Sequence, residues 1–219
     1  MKRISLLIII IFLSSCQTLP VIQSPSSPVK DKSITCPYPF LKEKVRLTHT
    51  MEVRMAGEVR STIIGVTVAD PSSRSVSCAI MTAEGMVLFE AESTPGSLKI
   101  NRALPPFNSG DFAKNMIEDI KLIFFEPEGK IKSRGYLPDG ATACRYLQKN
   151  GDSIDVINDE SSGLQIKRYS SSGALKRHVL FDKTKNIYQR IELLAYETLD
   201  YSLVMNLIEA KPFKKGKRK

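Results

Sequence analysis

The sequence predicts a mainly β fold with one or two helices: a curved antiparallel sheet, or incomplete β-barrel, closed by a helix. Three observations carry that expectation. Beyond Val45 the apolar side chains recur at every second residue, which sets one face of each strand in a core and the other in water. Turn pairs such as Asn150-Gly151, Ser162-Gly163 and Ser172-Gly173 interrupt the pattern at short intervals, the spacing of hairpins rather than of crossovers. Only one stretch, Asp111 to Phe125, changes strongly to a helical period.

In the first strand, Leu47, His49, Met51, Val53 and Met55 share one face, with Arg46, Thr48, Thr50, Glu52 and Arg54 on the other. Val59 to Val68 is the second, ended by the turn Asp70-Pro71-Ser72-Ser73. Ser75 to Met81 is the third; its Val76, Cys78 and Ile80 alternate with Ser77 and Ala79. Thr82 to Gly85 turns the chain into Met86 to Glu92, and Pro95-Gly96 turns it into Ser97 to Arg102. After Pro105-Pro106 the helix places Phe112, Met116, Ile117, Ile120, Ile123 and Phe124 on one face, with Lys114, Asn115, Glu118 and Lys121 opposite. Pro127 stops it, and a side-chain oxygen of Ser109 or Asp111 is placed to accept from the free amides of its first turn. Strands resume at Ile131 to Tyr136, Ala141 to Gln148, Ser153 to Asn158, Leu164 to Tyr169, Leu175 to Asp182, Ile187 to Leu194 and Tyr201 to Glu209. Ala141 to Lys149 would also serve as a short second helix.

A sheet with one apolar face must cover it, and a single strong helix is available to do so. The concave side would then leave room lined by Met, Val, Ile, Leu and Phe, the geometry of a site for a hydrophobic ligand. Met51, Val53, Met55, Val76, Cys78, Ile80, Met116 and Ile120 are the candidate lining residues, the methionines suited to it by their adaptable side chains. The plainer alternative is that each of them fills a core.

The run from Gly57-Glu58-Val59 through Ser75 to Ala91, then Leu104-Pro105-Pro106 and the helix from Met116 to Phe125, resembles a group of uncharacterised bacterial lipoproteins similar to the LolA/LolB carriers. Thr82-Ala83-Glu84-Gly85-Met86-Val87-Leu88-Phe89 is similar to the Thr-Pro-x-Gly-x-x-Leu-Phe turn of that group, with Ala83 in the place of proline. Phe124-Phe125 stands where the group often carries tryptophan. The resemblance implies an incomplete barrel that holds acyl chains under a helical lid and performs no covalent chemistry. Its partners would be acyl or lipoprotein cargo.

The N-terminus agrees on location. Met1-Lys2-Arg3 is a basic start and Ile4 to Leu13 an apolar core too short to span a bilayer. Leu13-Ser14-Ser15-Cys16 resembles a lipobox, which implies cleavage after residue 15 and an acyl (palmitate-type) anchor in membrane lipid on Cys16. Gln17 and Thr18 after the cysteine imply the outer membrane, facing the periplasm, by the enteric sorting rule. The expected organisation is a signal peptide over 1–15, the lipidated cysteine and a Ser/Pro-rich tether over 16–44, the half-barrel over 45–210 and a basic tail over 211–219. About 200 residues after the signal are enough for one core.

The net charge of +9 does not describe the folded body. Loss of Lys2 and Arg3 leaves +7, of which Lys211, Lys214, Lys215, Lys217, Arg218 and Lys219 hold six. A terminal cluster of this kind is a solvated tail before it is a headgroup-binding one. No nucleic-acid partner is expected, since no basic face with interleaved aromatics exists elsewhere.

Catalytic and metal signals are absent from the sequence, and no cofactor is expected. His49 and His178 are the only histidines, and neither shares a metal-binding spacing with Cys or carboxylates. His49, on an apolar strand face, is expected as a hydrogen-bonded core residue, and the pairs Glu118-Asp119 and Asp159-Glu160 as solvated surface. Of the three cysteines after Cys16, mid-strand Cys78 reads as a small buried apolar group, which leaves Cys36 and Cys144 as the pair to bridge in an oxidising compartment. The functional expectation is a non-enzymatic carrier or acceptor of lipidated molecules. A structural or adaptor lipoprotein that binds an envelope protein partner is the alternative.

Overall fold

The computed structural model describes residues 19–24, 34–55, 57–109, 111–182, 188–196 and 201–213. Its elements are β1 (Val45–Met55), β2 (Glu58–Asp70), β3 (Ser75–Met81), β4 (Val87–Thr94), β5 (Ser97–Ala103), α1 (Phe112–Phe124), β6 (Lys130–Tyr136), β7 (Thr142–Leu147), β8 (Ser153–Asp159), β9 (Gly163–Tyr169), β10 (Leu175–Phe181), β11 (Arg190–Ala195) and β12 (Tyr201–Pro212). The stretch that could have formed a second helix is β7. All twelve strands join one antiparallel sheet in the order β5-β4-β3-β2-β1-β12-β11-β10-β9-β8-β7-β6. The sheet is unclosed, with β5 and β6 at its edges. The first and last strands lie side by side in its middle, Val45 opposite Pro212 and Met55 opposite Tyr201.

The hairpins form where the sequence can turn sharply. Gly85, Gly151 and Gly173 adopt φ of 91°, 86° and 87°, a region closed to most side chains by the clash of Cβ with the backbone. Alternation then assigns the two faces. On the inner face Leu47, Ile63, Val76, Phe89, Ile166, Val179 and Ile191 are buried together with Ala113, Ile117, Leu122, Ile123 and Phe124 of α1 in one core. The helix, which connects the two edge strands in sequence, thus covers the concave side. Asp111 stands at its N-cap position but makes no side-chain cap hydrogen bond. The expected side-chain cap is missing; instead the Phe112 amide donates to the Ser109 carbonyl at 2.9 Å.

The tether expected over 16–44 is held to the domain at two places. Downstream, Phe40 is buried, the Leu41 amide donates to the Phe124 carbonyl at 3.0 Å, and the Tyr188 hydroxyl donates to the Pro39 carbonyl at 2.7 Å. A disulfide joins Cys36 to Cys144 of β7, with Cα atoms 5.6 Å apart. Upstream, Leu19 to Gln23 cross the convex face of β6 to β9. Gln23 and Tyr136 exchange amide–carbonyl hydrogen bonds of 2.9 Å, and Ile22 packs on a small second cluster of Leu137, Ala141, Ala143 and Ile157. The signal segment, Cys16 and the basic residues after Phe213 lie outside the described residues. No helix among the described residues is long and apolar enough to cross a membrane.

Candidate binding site

The eight candidate lining residues divide by position along the concave face. Val76, Cys78 and Ile80 of β3 are buried beneath α1, and Ile80 stands opposite Phe89 of β4. The Cys78 thiol donates only a long hydrogen bond of 3.7 Å, to the Ala91 carbonyl, and burial pushes its pKa up to about 12. That is the behaviour of an inert apolar group rather than of a nucleophile. Met51 and Val53 of β1, with Met116 and Ile120 of α1, are half-buried against the core. Met55, at the end of β1, is exposed.

Met51 shows how closely this region is filled. A Cβ on Gly65 of β2 would lie 2.7 Å from the Met51 terminal methyl, so the methionine occupies space that only a glycine leaves open. Phe89, Phe124 and Phe125 are among the largest fully buried side chains. The room expected beneath the lid is therefore taken up, in this conformation, by the helix and these rings. Two open, partly polar surface clefts, of about 320 and 280 Å3, lie elsewhere. One lies beside Ser161, Leu180 and Arg190, the other between α1 and the Gln148-Lys149-Asn150 turn.

What remains accessible is a margin. Register pairing aligns Met51 with buried Met205, half-buried Val53 with half-buried Leu203 and exposed Met55 with Tyr201, so the apolar row along β1 and β12 opens toward Met55. Half-buried Met116 and Ile120 belong to the same cluster, as do Leu203 and Phe107. Phe112, at the start of α1, packs edge-on against Phe89 and Phe107, with centroids 5.5 and 5.2 Å apart.

Polar anchors hold the helix at its middle. The Arg177 Nε of β10 donates to the Asp119 Oδ1 at 2.8 Å, and the Tyr201 hydroxyl donates to Oδ2 at 3.1 Å. One residue earlier, Glu118 accepts from Arg168 at 3.3 Å, and the same guanidinium reaches Asp152 at 3.0 Å. The pair Glu118-Asp119 was expected in solvent. Glu118 is exposed, but Asp119 is buried, because the sheet curls round far enough for Arg177 to meet the polar margin of the helix. Burial pushes the Asp119 carboxyl up, and Arg177 opposes that shift. Asp159, by contrast, is half-buried at the surface beside exposed Glu160 and accepts from Ser161 and Ser162, which hold its pKa down at about 2.

His49 departs from expectation in another way. It is only 3% exposed, lies over Phe124 with centroids 6.4 Å apart, and its Nε2 finds no hydrogen-bond partner. Desolvation holds its pKa down at about 4, so the ring is neutral. His178 is lowered to about 4 for the same first reason and pairs with Gln165 at 2.7 Å. Among the described residues no group of three His, Cys, Asp or Glu side chains is placed to hold a metal ion.

No protein-family model matches the sequence, and no curated protein matches it. Solved structures similar to it in shape include the following two. One is a LolA superfamily protein from Nitrosomonas europaea, 11% identical, with a TM-score of 0.49 over 80% of this chain and 88% of that one. The other is a putative outer membrane lipoprotein-sorting protein domain from Vibrio parahaemolyticus, 14% identical, with a TM-score of 0.43 over 80% of this chain and 86% of that one.

Proposed function

We propose that this chain is a lipid-anchored envelope protein, held by an acylated Cys16, whose half-barrel carries or accepts lipidated or amphiphilic molecules at the outer membrane. The observation that carries this is the half-buried apolar row where α1 meets β1 and β12. Such a row is apolar enough to receive an acyl chain, and no second helix among the described residues seals it. The ligand enters by displacing the N-terminal half of α1, since the interior is otherwise full. Met51, Val53, Met116 and Ile120 line its path, and Val76, Cys78 and Ile80 form the floor.

A Cys16→Ala chain, purified without its signal, is offered a fluorescent fatty acid. Saturable uptake, reversed by unlabelled fatty acid and weakened by Met116→Asp, is expected. Absence of uptake removes the carrier. Acylation is read separately, by labelled palmitate retained in cells by the parent chain and lost in Cys16→Ala.

One observation favours the adaptor alternative. Edge strand β5 pairs only with β4, and its inner-face Leu98 and Ile100 are exposed, so it could take a partner's strand. Crosslinking in cells that is abolished by Ile100→Pro, with fatty-acid uptake unchanged, would favour it.

A further inference from the structure

We infer that the domain is not free at the end of a tether but is held with one face against the bilayer, the convex face of β6 to β9 crossed by Leu19 to Gln23. The inference rests on the acylated Cys16 proposed above. Two residues, Gln17 and Thr18, separate Cys16 from Leu19, and the three residue steps between them, fully extended, span at most about 11 Å. Leu19 is fixed: a Cβ on Gly173, in the β9–β10 turn, would lie 3.6 Å from it. The acyl group therefore starts close to that turn, wherever the intervening residues lie.

The docking is built into the sheet. The Arg145 guanidinium, paired with buried Asp155 at 2.7 and 2.6 Å, also donates to the Pro20 carbonyl at 2.8 Å. Gly135 lets the backbones meet, because a Cβ there would lie 2.0 Å from the Gln23 carbonyl oxygen. Ile22 points into the small apolar cluster, while its neighbour Val21 points out. Val21 is 69% exposed, the highest value among the large apolar side chains described. Leu147, on the same convex face two residues beyond Arg145, is 40% exposed. Apolar side chains turned outward beside a lipid anchor fit the boundary between headgroups and acyl chains, where such groups lose their contact with water.

The test uses the full acylated chain in vesicles of phosphatidylethanolamine and phosphatidylglycerol that contain a nitroxide-labelled lipid. A fluorophore is placed at Ala174→Cys, exposed in the β9–β10 turn, or at Thr62→Cys, exposed on the outer face of β2 and six strand positions from β8 along the sheet. Quenching several-fold stronger at 174 than at 62 is expected, and a flexible insertion of about twelve residues between Thr18 and Leu19 should reduce that difference sharply. The insertion leaves every docked residue in place, so loss of the difference is not a folding defect. Equal quenching at the two positions in an acylated chain overturns the inference alone. A chain that labelled palmitate shows to be unacylated overturns the anchor and the inference with it.

Discussion

Acidification should destabilise this protein through its two histidines, and the size of the effect follows from their surroundings. Both rings have folded pKa values of about 4, against about 6.5 in an unfolded chain. Between those values the unfolded chain binds a proton that the folded one refuses, so the stabilisation is present above pH 6.5 and is lost as the pH falls toward 4. From pH 7.5 to 5 each histidine costs about 2 kcal/mol, and the pair about 4, a large part of the stability of an ordinary domain. The raised carboxyls Asp119 and Asp155 act in the opposite sense, since acid relieves a buried charge, and they offset part of the loss at the acidic end. Urea unfolding at pH 7.5, 6.5, 5.5 and 5 gives the slope directly. His49→Leu with His178→Gln keeps the carboxyls and removes both rings, so the loss between pH 7.5 and 5 should shrink by about 4 kcal/mol. A double variant with the pH dependence of the parent would refute the claim that these rings are held neutral by burial.

Four further outcomes are expected. Asp119→Ala removes the buried carboxylate that accepts from Arg177 and Tyr201 and should cost up to about 3 kcal/mol in urea unfolding, where Lys114→Ala on the exposed side costs little. If α1 is the gate, milder Asp119→Asn should speed fatty-acid uptake while leaving saturation unchanged in stopped-flow fluorescence. Reduction, or Cys36→Ser with Cys144→Ser, opens a link across 108 residues and should lower stability by up to about 5 kcal/mol, read as a shift of the urea midpoint under oxidising against reducing conditions. Gly135→Ala drives a Cβ into the Gln23 carbonyl and should release Leu19 to Gln23, seen as faster hydrogen exchange at the Tyr136 amide with the rest of the sheet unchanged.

Most of the sheet was legible because strand faces are a local property. The alternation of Val76, Cys78 and Ile80 with Ser77 and Ala79 needs no knowledge of the rest of the chain, and the same is true of glycine turns. The Cys36 and Cys144 pairing could be reached by setting Cys78 aside as a core residue. Asp119 was not legible, since helical spacing puts it on the polar margin and only the curl of β10, 58 residues later, brings Arg177 to it. Nor was the docking of Leu19 to Gln23, which depends on the missing side chain of Gly135 and on a buried Arg145 that in sequence looks like any strand arginine. His49 was placed in the core correctly, but its missing partner depends on Phe124 lying where a donor or acceptor could have been. The extent of any cavity was not legible either, because periodicity shows which side chains face inward and not how far they fill the space.

The neighbouring positions of β1 and β12 make the molecule two meanders joined along one seam. The described part of residues 34–103 forms five strands and that of 112–213 supplies the helix and seven more, and among the described residues the only sheet contact between those halves is that of the first strand with the last. The seam closes after the whole chain is available, and until then each half presents a bare strand edge to any passing chain. A chain cut in the loop before α1 should therefore reassemble from its two pieces, whereas one shortened by its final strand leaves two raw borders and no way to bring them together.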